Sequence, residues 1–301
     1  MIGVLSCSRL DLRGIYGPHF EALAPELDLR LPDEIDRPED VSFMVTFIPA
    51  DDAFVAYPNL QAVYSIGAGV DAIMSCPSLP PGLPVHRVED PDQARQMAGF
   101  ATFHVLWHHR NMGNYLANQK AAHWERHLTG LSPRARRIGV AGFGHMGRAV
   151  AKALVALGYP VASYSRSRPQ PAEDGVTHYT AGAFDDFLAQ SDILINVLPL
   201  TEQTKGLFGT NTLSKLPKGA ALIHLGRGGQ VDEAALMAAL DRGHLSGASL
   251  DVFDPEPLPP EHPIWTHPKV FVTPHVASIC EPQTTVLSIR RTQLQLVPLS
   301  A

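Results

Sequence analysis

At 301 residues the chain is long enough for two domains, each with its own hydrophobic core. Hydrophobic residues make up 45% and charged residues 18%, and a formal charge of −6 argues against nucleic acid or an acidic membrane surface as the main partner. No apolar run approaches the ~20 residues needed to span a bilayer. Cys7, Cys76 and Cys280 lie too far apart for a metal-ligand spacing, so reduced thiols in a cytoplasmic protein, with no metal, are expected.

Met1-Ile-Gly-Val-Leu-Ser lacks the basic start of a leader and is predicted to be a first strand. Up to about residue 90, apolar runs alternate with Pro- and Asp-rich turns. Strands are predicted over 2–6, 27–31, 41–47, 60–66 and 85–88, with helices over 18–24, 51–56 and 70–75. Residues 94 to about 122 contain few breakers and predict one or two long connecting helices. A second α/β unit begins at Arg137, with strands over 138–141, 161–164, 193–197, 220–224, 247–252 and 270–273. Helices over 146–157, 181–189 and 233–242 alternate with them. That β-α-β rhythm implies a parallel sheet covered on both faces. The Pro-rich stretch 254–263 reads as a rigid loop after a strand, where open α/β sheets place ligand-binding groups.

The most informative stretch is Arg137-Ile-Gly-Val-Ala-Gly142-Phe-Gly144-His145-Met146-Gly147, a strand running into three glycines and then an Ala-rich helix. Gly142 allows the tight turn, Gly144 lets backbone approach a pyrophosphate, and Gly147 lets helix and strand pack closely. The helix N-terminus then offers N–H groups and partial positive charge to phosphate. NAD-selective sites usually carry an acid about 20 residues on, for the ribose 2′-hydroxyl. Here the strand over 161–164 ends in Ser165-Arg166-Ser167-Arg168. A small hydroxyl and two guanidinium groups favour a 2′-phosphate, and hence NADPH over NADH.

Three further segments fall at predicted strand ends: Leu225-Gly226-Arg227-Gly-Gly, Asp251-Val-Phe-Asp-Pro-Glu256 and Thr273-Pro-His275. Each alone is weak. Together they put an Arg, a Glu and a His at the carboxyl ends of strands beside one cofactor.

With these motifs the chain resembles the D-isomer-specific 2-hydroxyacid dehydrogenases, most closely their glyoxylate/hydroxypyruvate reductase A-like branch. The resemblance runs from about Val45 to Arg291. Ser65-Ile-Gly-Ala68-Gly69-Val70-Asp71 is similar to the family's substrate-carboxylate loop, and Asp90-Pro91 through Met97-Ala98 to its crossing between domains. Asp192-Ile-Leu-Ile-Asn-Val-Leu198-Pro199-Leu-Thr201 and Thr204-Lys-Gly-Leu-Phe resemble its cofactor-domain signature, and Tyr164-Ser-Arg-Ser-Arg168 the NADPH-associated branch. The resemblance implies an α/β fold of two Rossmann-like open parallel-sheet domains with the active site in the cleft between them. Residues 1–98 plus 279–301 would form the substrate-binding domain and 99–278 the dinucleotide-binding domain. It also implies a homodimer through the helices after about residue 98.

Arg227, Glu256 and His275 take the family's catalytic positions by this matching. Reducing a 2-oxo acid needs a hydride on the carbonyl carbon and a proton on the oxygen. Arg227 would clamp the substrate carboxylate, and His275 would be the general acid, its imidazolium favoured by ionised Glu256. Backbone N–H groups at Ala68, Gly69 and Val70 would bind the carboxylate. Leu198, Pro199, Thr204, Leu225 and Gly226 would line the cofactor, and Asp251 matches the position that orients the nicotinamide carboxamide, although a strand-end turn residue reads the same way. The family's tail beyond the last helix is shortened here to residues 294–301. Its pocket-walling aromatic is sought among Thr46, Phe47 and Ile48, with Trp124 contributing from the long helical segment. Two other readings stay open: a non-catalytic dinucleotide-sensing module, and a dehydrogenase of another small carboxylate, in which Gln usually stands where Glu256 does.

Overall fold

The computed structural model describes residues 1–88, 90–167 and 173–296. They form two compact units, Met1–Asp92 together with the segment from Ile279 onward, and Gln93–Ser278. The first unit holds β1 (Ile2–Leu5), α1 (Leu12–Leu23), β2 (Asp28–Arg30), β3 (Val41–Thr46), β4 (Ala62–Ser65), α2 (Asp71–Met74) and β5 (Val85–His86). The second begins at Gln93, within α3 (Pro91–His109), and continues with α4 (Met112–Lys120), β6 (Ile138–Ala141), α5 (His145–Ala156), β7 (Val161–Tyr164), β8 (Val176–Tyr179), α6 (Phe184–Ala189) and β9 (Ile193–Asn196). It continues with α7 (Thr210–Ser214), β10 (Ala220–His224), α8 (Glu233–Asp241), β11 (Leu245–Leu250) and β12 (Val270–Val272), and α9 (Pro282–Leu296) returns to the first unit.

Both sheets are parallel among the described residues, ordered β2-β1-β3-β4-β5 and β12-β11-β10-β9-β6-β7-β8. Period-two alternation gives each sheet two apolar faces, the pattern that βαβ crossovers require. In the first sheet, Leu5, Phe43, Val45 and Tyr64 pack with Leu12, Tyr16 and Phe20 of α1 and Val286 and Ile289 of α9. Val4, Met44 and Val63 point the other way, onto Phe54 and Ile73. In the second sheet, Ile138, Val140, Ile193, Ile195 and Ile223 meet α3 and α5 through Met97, Ala101, Val105, Val150 and Leu154. Leu194, Leu222 and Leu250 face Phe187, Leu213, Leu236 and Leu240. Each such side chain contributes roughly 1.5–3 kcal/mol by leaving water. Strand order reverses where β6 sits between β9 and β7, the switch point at which open α/β sheets bind ligands.

Several elements differ from the sequence reading, the short α7 among them, which was not expected. The helix expected over 51–56 is a run of turns. Helix α1 starts at Leu12, capped by the Asp11 carboxylate on the Gly14 amide at 2.9 Å, and runs through Pro18, which lies exposed. On that face water can satisfy the carbonyl that the proline leaves unpaired. The edge strand β8 was not expected. Elsewhere the 94–122 stretch is two helices parted at Asn111, whose φ is 58°. Among the described residues no helix is long and apolar enough to cross a membrane.

Candidate active site

The glycine turn leaves β6 with Gly142 at φ 99°, where a Cβ would stand 2.9 Å from the Val197 carbonyl carbon. A Cβ on Gly147 would meet the Gly142 carbonyl oxygen at 1.9 Å. Packing therefore demands both glycines. Gly144 is different: a Cβ there meets nothing within 4 Å, and as N-cap of α5 it lends no side-chain cap to the helix amides. The exposed Gly144 and His145 and half-buried Met146 thus open an uncapped helix end to an anion. At the end of β7, Ser165 donates from Oγ to the Ser167 carbonyl at 2.7 Å and Arg166 is exposed. Arg168 lies outside the described residues. Behind the turn, Arg148 lies over the Phe143 ring at 5.0 Å and pairs with Glu173 at 3.2 Å, contacts with no sequence signature.

Beyond β9, the Thr204 hydroxyl donates to the Pro199 carbonyl at 2.7 Å and accepts the Thr201 amide at 2.8 Å, closing that loop on itself. Leu198 is half-buried and Pro199 exposed. Beyond β10, the Leu225 side chain is in the core, so only its backbone remains for a ligand. Gly226 and Gly228 flank Arg227 at close approaches. A Cβ on Gly226 would lie 2.2 Å from Gln230 Oε1, and one on Gly228 2.0 Å from the Phe253 carbonyl carbon. The second contact locks the loop after β10 against the loop after β11.

That neighbouring loop brings Glu256 to His275. His275 Nδ1 lies 2.9 Å from Glu256 Oε2, while Glu256 Oε1 accepts the Phe253 amide at 2.9 Å. Burial works to raise the Glu256 pKa, but the His275 hydrogen bond, the Phe253 amide and the charges of His275 and Arg227 hold it below its ordinary value. His275 sits at φ 56°, a left-handed conformation that costs a non-glycine residue of order 1–3 kcal/mol. Asp251, 1% exposed, holds it there. Its carbonyl accepts the His275 amide at 2.7 Å; Oδ1 accepts Thr273 Oγ1 at 2.7 Å and the Val276 amide at 2.9 Å, and Oδ2 the Ala277 amide at 2.9 Å. Burial pushes the Asp251 pKa up against these donors. Both of its oxygens are thus engaged in shaping the histidine turn.

In the first unit, the loop after β4 is fixed through its carbonyls. Buried Ser65 donates to the Gly69 carbonyl at 2.7 Å, the Val88 amide to that of Gly67 at 3.2 Å, and the Met74 amide to that of Val70 at 2.8 Å. Ala68, Gly69 and Val70 are each half-buried. Of the residues considered for the pocket aromatic, Thr46 is fully buried, Phe47 packs against the core beside Leu5, and Ile48 accepts Ser8 through its carbonyl. Trp124 lies beyond α4, not within it, and is 88% exposed.

Four sequence-read residues, Arg227, Asp251, Glu256 and His275, therefore converge at adjacent strand ends of one sheet. Sequence reasoning missed Ser65, Thr273 and three buried polar residues around Arg227: Asn196, His224 and Gln230. For Asn196 and His224 the one signal is a polar residue closing an otherwise apolar strand, Ile193-Leu-Ile-Asn196 and Ala220-Ala-Leu-Ile-His224; Gln230, in the turn beyond β10, has none.

The family model of the D-isomer specific 2-hydroxyacid dehydrogenase NAD binding domain matches residues 102–277. The chain belongs to the D-isomer specific 2-hydroxyacid dehydrogenases. Among curated members of this dehydrogenase family it is 40% identical over 262 residues to glyoxylate/hydroxypyruvate reductase A of Salmonella paratyphi B, covering 82% of this chain and 83% of that one. A D-isomer specific 2-hydroxyacid dehydrogenase from Xanthobacter autotrophicus, solved with NADPH and MES, is 37% identical with a TM-score of 0.88, covering 99% of this chain and 96% of that one. The NADPH-dependent glyoxylate/hydroxypyruvate reductase of Sinorhizobium meliloti, solved with NADP and sulfate, is 31% identical with a TM-score of 0.91 and the same coverage. The branch resemblance read from the motifs agrees with these relatives.

Proposed function

We propose that the chain reduces a small 2-oxo acid, of the glyoxylate or hydroxypyruvate kind, to its 2-hydroxy acid, with NADPH preferred over NADH. The observation that carries this reading is the His275–Glu256 pair at 2.9 Å beside Arg227, on neighbouring strand ends of a sheet whose glycine turn fits a dinucleotide.

The residues present suit that cofactor. Gly142 and Gly147 make the tight turn, the open backbone at Gly144, His145 and Met146 takes the pyrophosphate, and Ser165 with Arg166 and Arg168 takes the 2′-phosphate. Leu198, Pro199, Thr204, Leu225 and Gly226 would line the cofactor, Leu225 through its backbone alone, with Asp251 at the position that would orient the nicotinamide carboxamide. When bound, NADPH supplies the hydride. With Nδ1 committed to Glu256, the Nε2–H of His275 donates the proton to the carbonyl oxygen. Glu256 Oε2 engages Nδ1 and so fixes the ring's orientation and which nitrogen faces the substrate. Arg227 pairs with the substrate carboxylate. In the first unit the amides of Ala68, Gly69 and Val70 are the proposed carboxylate donors. Residues 1–98 with 279–301 would serve substrate and 99–278 the dinucleotide.

The chain further pairs with a second copy through α3 and α4, whose Phe103, Leu106, Met112 and Leu116 are each at least 40% exposed. Light scattering giving a monomer would remove that part. Its three free thiols suit the reducing cytoplasm.

The test is loss of NADPH absorbance with glyoxylate, hydroxypyruvate, pyruvate and phenylpyruvate, repeated with NADH. Turnover favouring NADPH and a small oxo acid is expected. NADPH binding without turnover on any of them would overturn the enzymatic reading in favour of a dinucleotide sensor. Arg166→Ala should weaken NADPH about tenfold or more while sparing NADH, since charged hydrogen bonds are worth ~1.5–3 kcal/mol.

A further inference from the structure

A guanidinium at the end of a flexible side chain is a clamp only if its backbone is held. Around Arg227 that hold comes from side chains. Asn196 Nδ2 contacts His224 Nδ1 at 3.0 Å and donates to Gln230 Oε1 at 2.8 Å, and Asn196 Oδ1 accepts the Leu198 amide at 3.1 Å. Gln230 Oε1 also accepts the Arg227 amide at 2.9 Å, while Gln230 Nε2 donates to the Leu198 and Pro199 carbonyls at 3.2 and 3.0 Å. His224 Nε2 lies 2.9 Å from the Arg227 carbonyl.

One proton assignment satisfies the whole set. Both Asn196 amide hydrogens are donated, so His224 Nδ1 is the acceptor and Nε2–H donates to Arg227. Burial lowers the His224 pKa to about 4, which keeps the imidazole in that neutral form near neutral pH. Asn196, His224 and Gln230 are 0, 1 and 0% exposed.

Polar groups so buried cost stability unless paired, and an apolar core would serve packing as well. The preceding residues of β9 and β10 are indeed apolar. Polarity enters only at the last residue of each strand, where the chain turns toward Arg227. Gly226 belongs to the same arrangement, since a Cβ there would collide with the Gln230 and Asn196 amides.

We propose that His224, Asn196 and Gln230 are positioning residues for the reduction: a closed hydrogen-bonded frame that grips Arg227 at both its amide and its carbonyl and so sets where the guanidinium meets the substrate carboxylate. This rests on the role proposed above for Arg227. His224 grips Arg227 directly, whereas Gln230 also holds the Leu198–Pro199 loop, so the two should differ in their effect on cofactor.

The experiment is a double-mutant cycle on the full chain with glyoxylate and NADPH. His224→Phe and His224→Gln are each made alone and in an Arg227→Ala background. NADPH affinity is read by fluorescence and folding by thermal melting. His224→Phe should lower kcat/KM about tenfold or more, chiefly through KM for the oxo acid, with NADPH affinity within about twofold. His224→Gln, which keeps an N–H within reach of the Arg227 carbonyl, should recover most of the loss. In the Arg227→Ala background the Phe change should cost under about twofold, because the group it positions is gone.

A full multiplicative loss in both backgrounds, Gln no better than Phe, or no loss at all overturns the frame. If Arg227→Ala itself leaves kcat/KM intact, the clamp reading has failed instead. Should His224→Phe not melt cooperatively, Gln230→Met gives the second test. It should lower kcat/KM and weaken NADPH in the otherwise native chain, and its effect on kcat/KM should shrink in the Arg227→Ala background. An undiminished effect there overturns the frame.

Discussion

Residues 142 and 275 both adopt left-handed backbone at the carboxyl end of the seven-stranded sheet, and they get there by opposite means. At 142 no side chain is needed, and glycine takes φ 99° without strain beneath the Val197 carbonyl. Position 275 carries a histidine, the proposed proton donor, so φ 56° has to be held by other parts of the chain. Buried Asp251 does this with its carbonyl and both carboxylate oxygens, which together accept four donors from residues 273–277. A turn that only makes room can be written with a glycine. A turn that presents a functional group needs a dedicated, costly neighbour.

The largest effect should come from removing that group. His275→Ala should lower kcat by ~10²–10⁴ while NADPH affinity holds; equal losses in both would point to a disrupted turn and sink the acid role. Gly142→Ala comes next. A Cβ pressed on the Val197 carbonyl in this backbone should destabilise the fold by about 1–3 kcal/mol and weaken NADPH, and an unchanged urea midpoint would show the turn is looser than described. Asp251→Asn sets an amide hydrogen against an N–H donor and should cost about 1–3 kcal/mol, lowering turnover more than cofactor binding. If turnover survives, the histidine turn holds itself.

The last effect, a drift of stability with pH, comes from buried imidazoles that donate no proton to substrate. Burial lowers the pKa values of His104 to about 4, His108 to about 3 and His224 to about 4. These groups are neutral in the fold, while the unfolded chain protonates them below ~6.5. The unfolded state therefore binds more protons between ~6.5 and those values, and stability falls as pH drops through that window. Each contributes up to ~1.4 kcal/mol per pH unit. Urea midpoints should decline from pH 7 to pH 5, and a flat profile would mean these histidines stay solvated.

The parallel sheets were legible because their strands are continuous apolar runs between Gly and Pro punctuation, as at Ile193–Asn196 and Ala220–His224. Strand β8 was not, because Val176–Tyr179 is a short, partly exposed edge with little apolar signal. Helix α1 was cut short because Pro18 reads as a helix start, and only the solvent face it occupies makes it tolerable inside. The strand-end places of Arg227, Glu256 and His275 were legible as ionisable residues following apolar runs. The Asn196–His224–Gln230 frame was not, since its members are 28 and 34 residues from Asn196 in sequence and meet only through the pairing of β9 with β10.

The division of the chain also bears on the order in which it is made. The seven-stranded unit is one uninterrupted segment, Gln93–Ser278, whose two ends are tied where Ser278 Oγ donates to the Gln93 carbonyl at 2.9 Å. The five-stranded unit is split: α9 packs on α1 through Val286 and Ile289, and Arg290 pairs with Glu26. On the ribosome, where domains fold as units during synthesis, the strands that emerge first must wait for α9 to complete their core. The later-made segment can fold as soon as Ser278 is clear of the exit tunnel. The earliest residues to appear are thus among the last to be buried, and until then the apolar face of β1 and β3 that α9 covers is the part of the nascent chain most in need of protection.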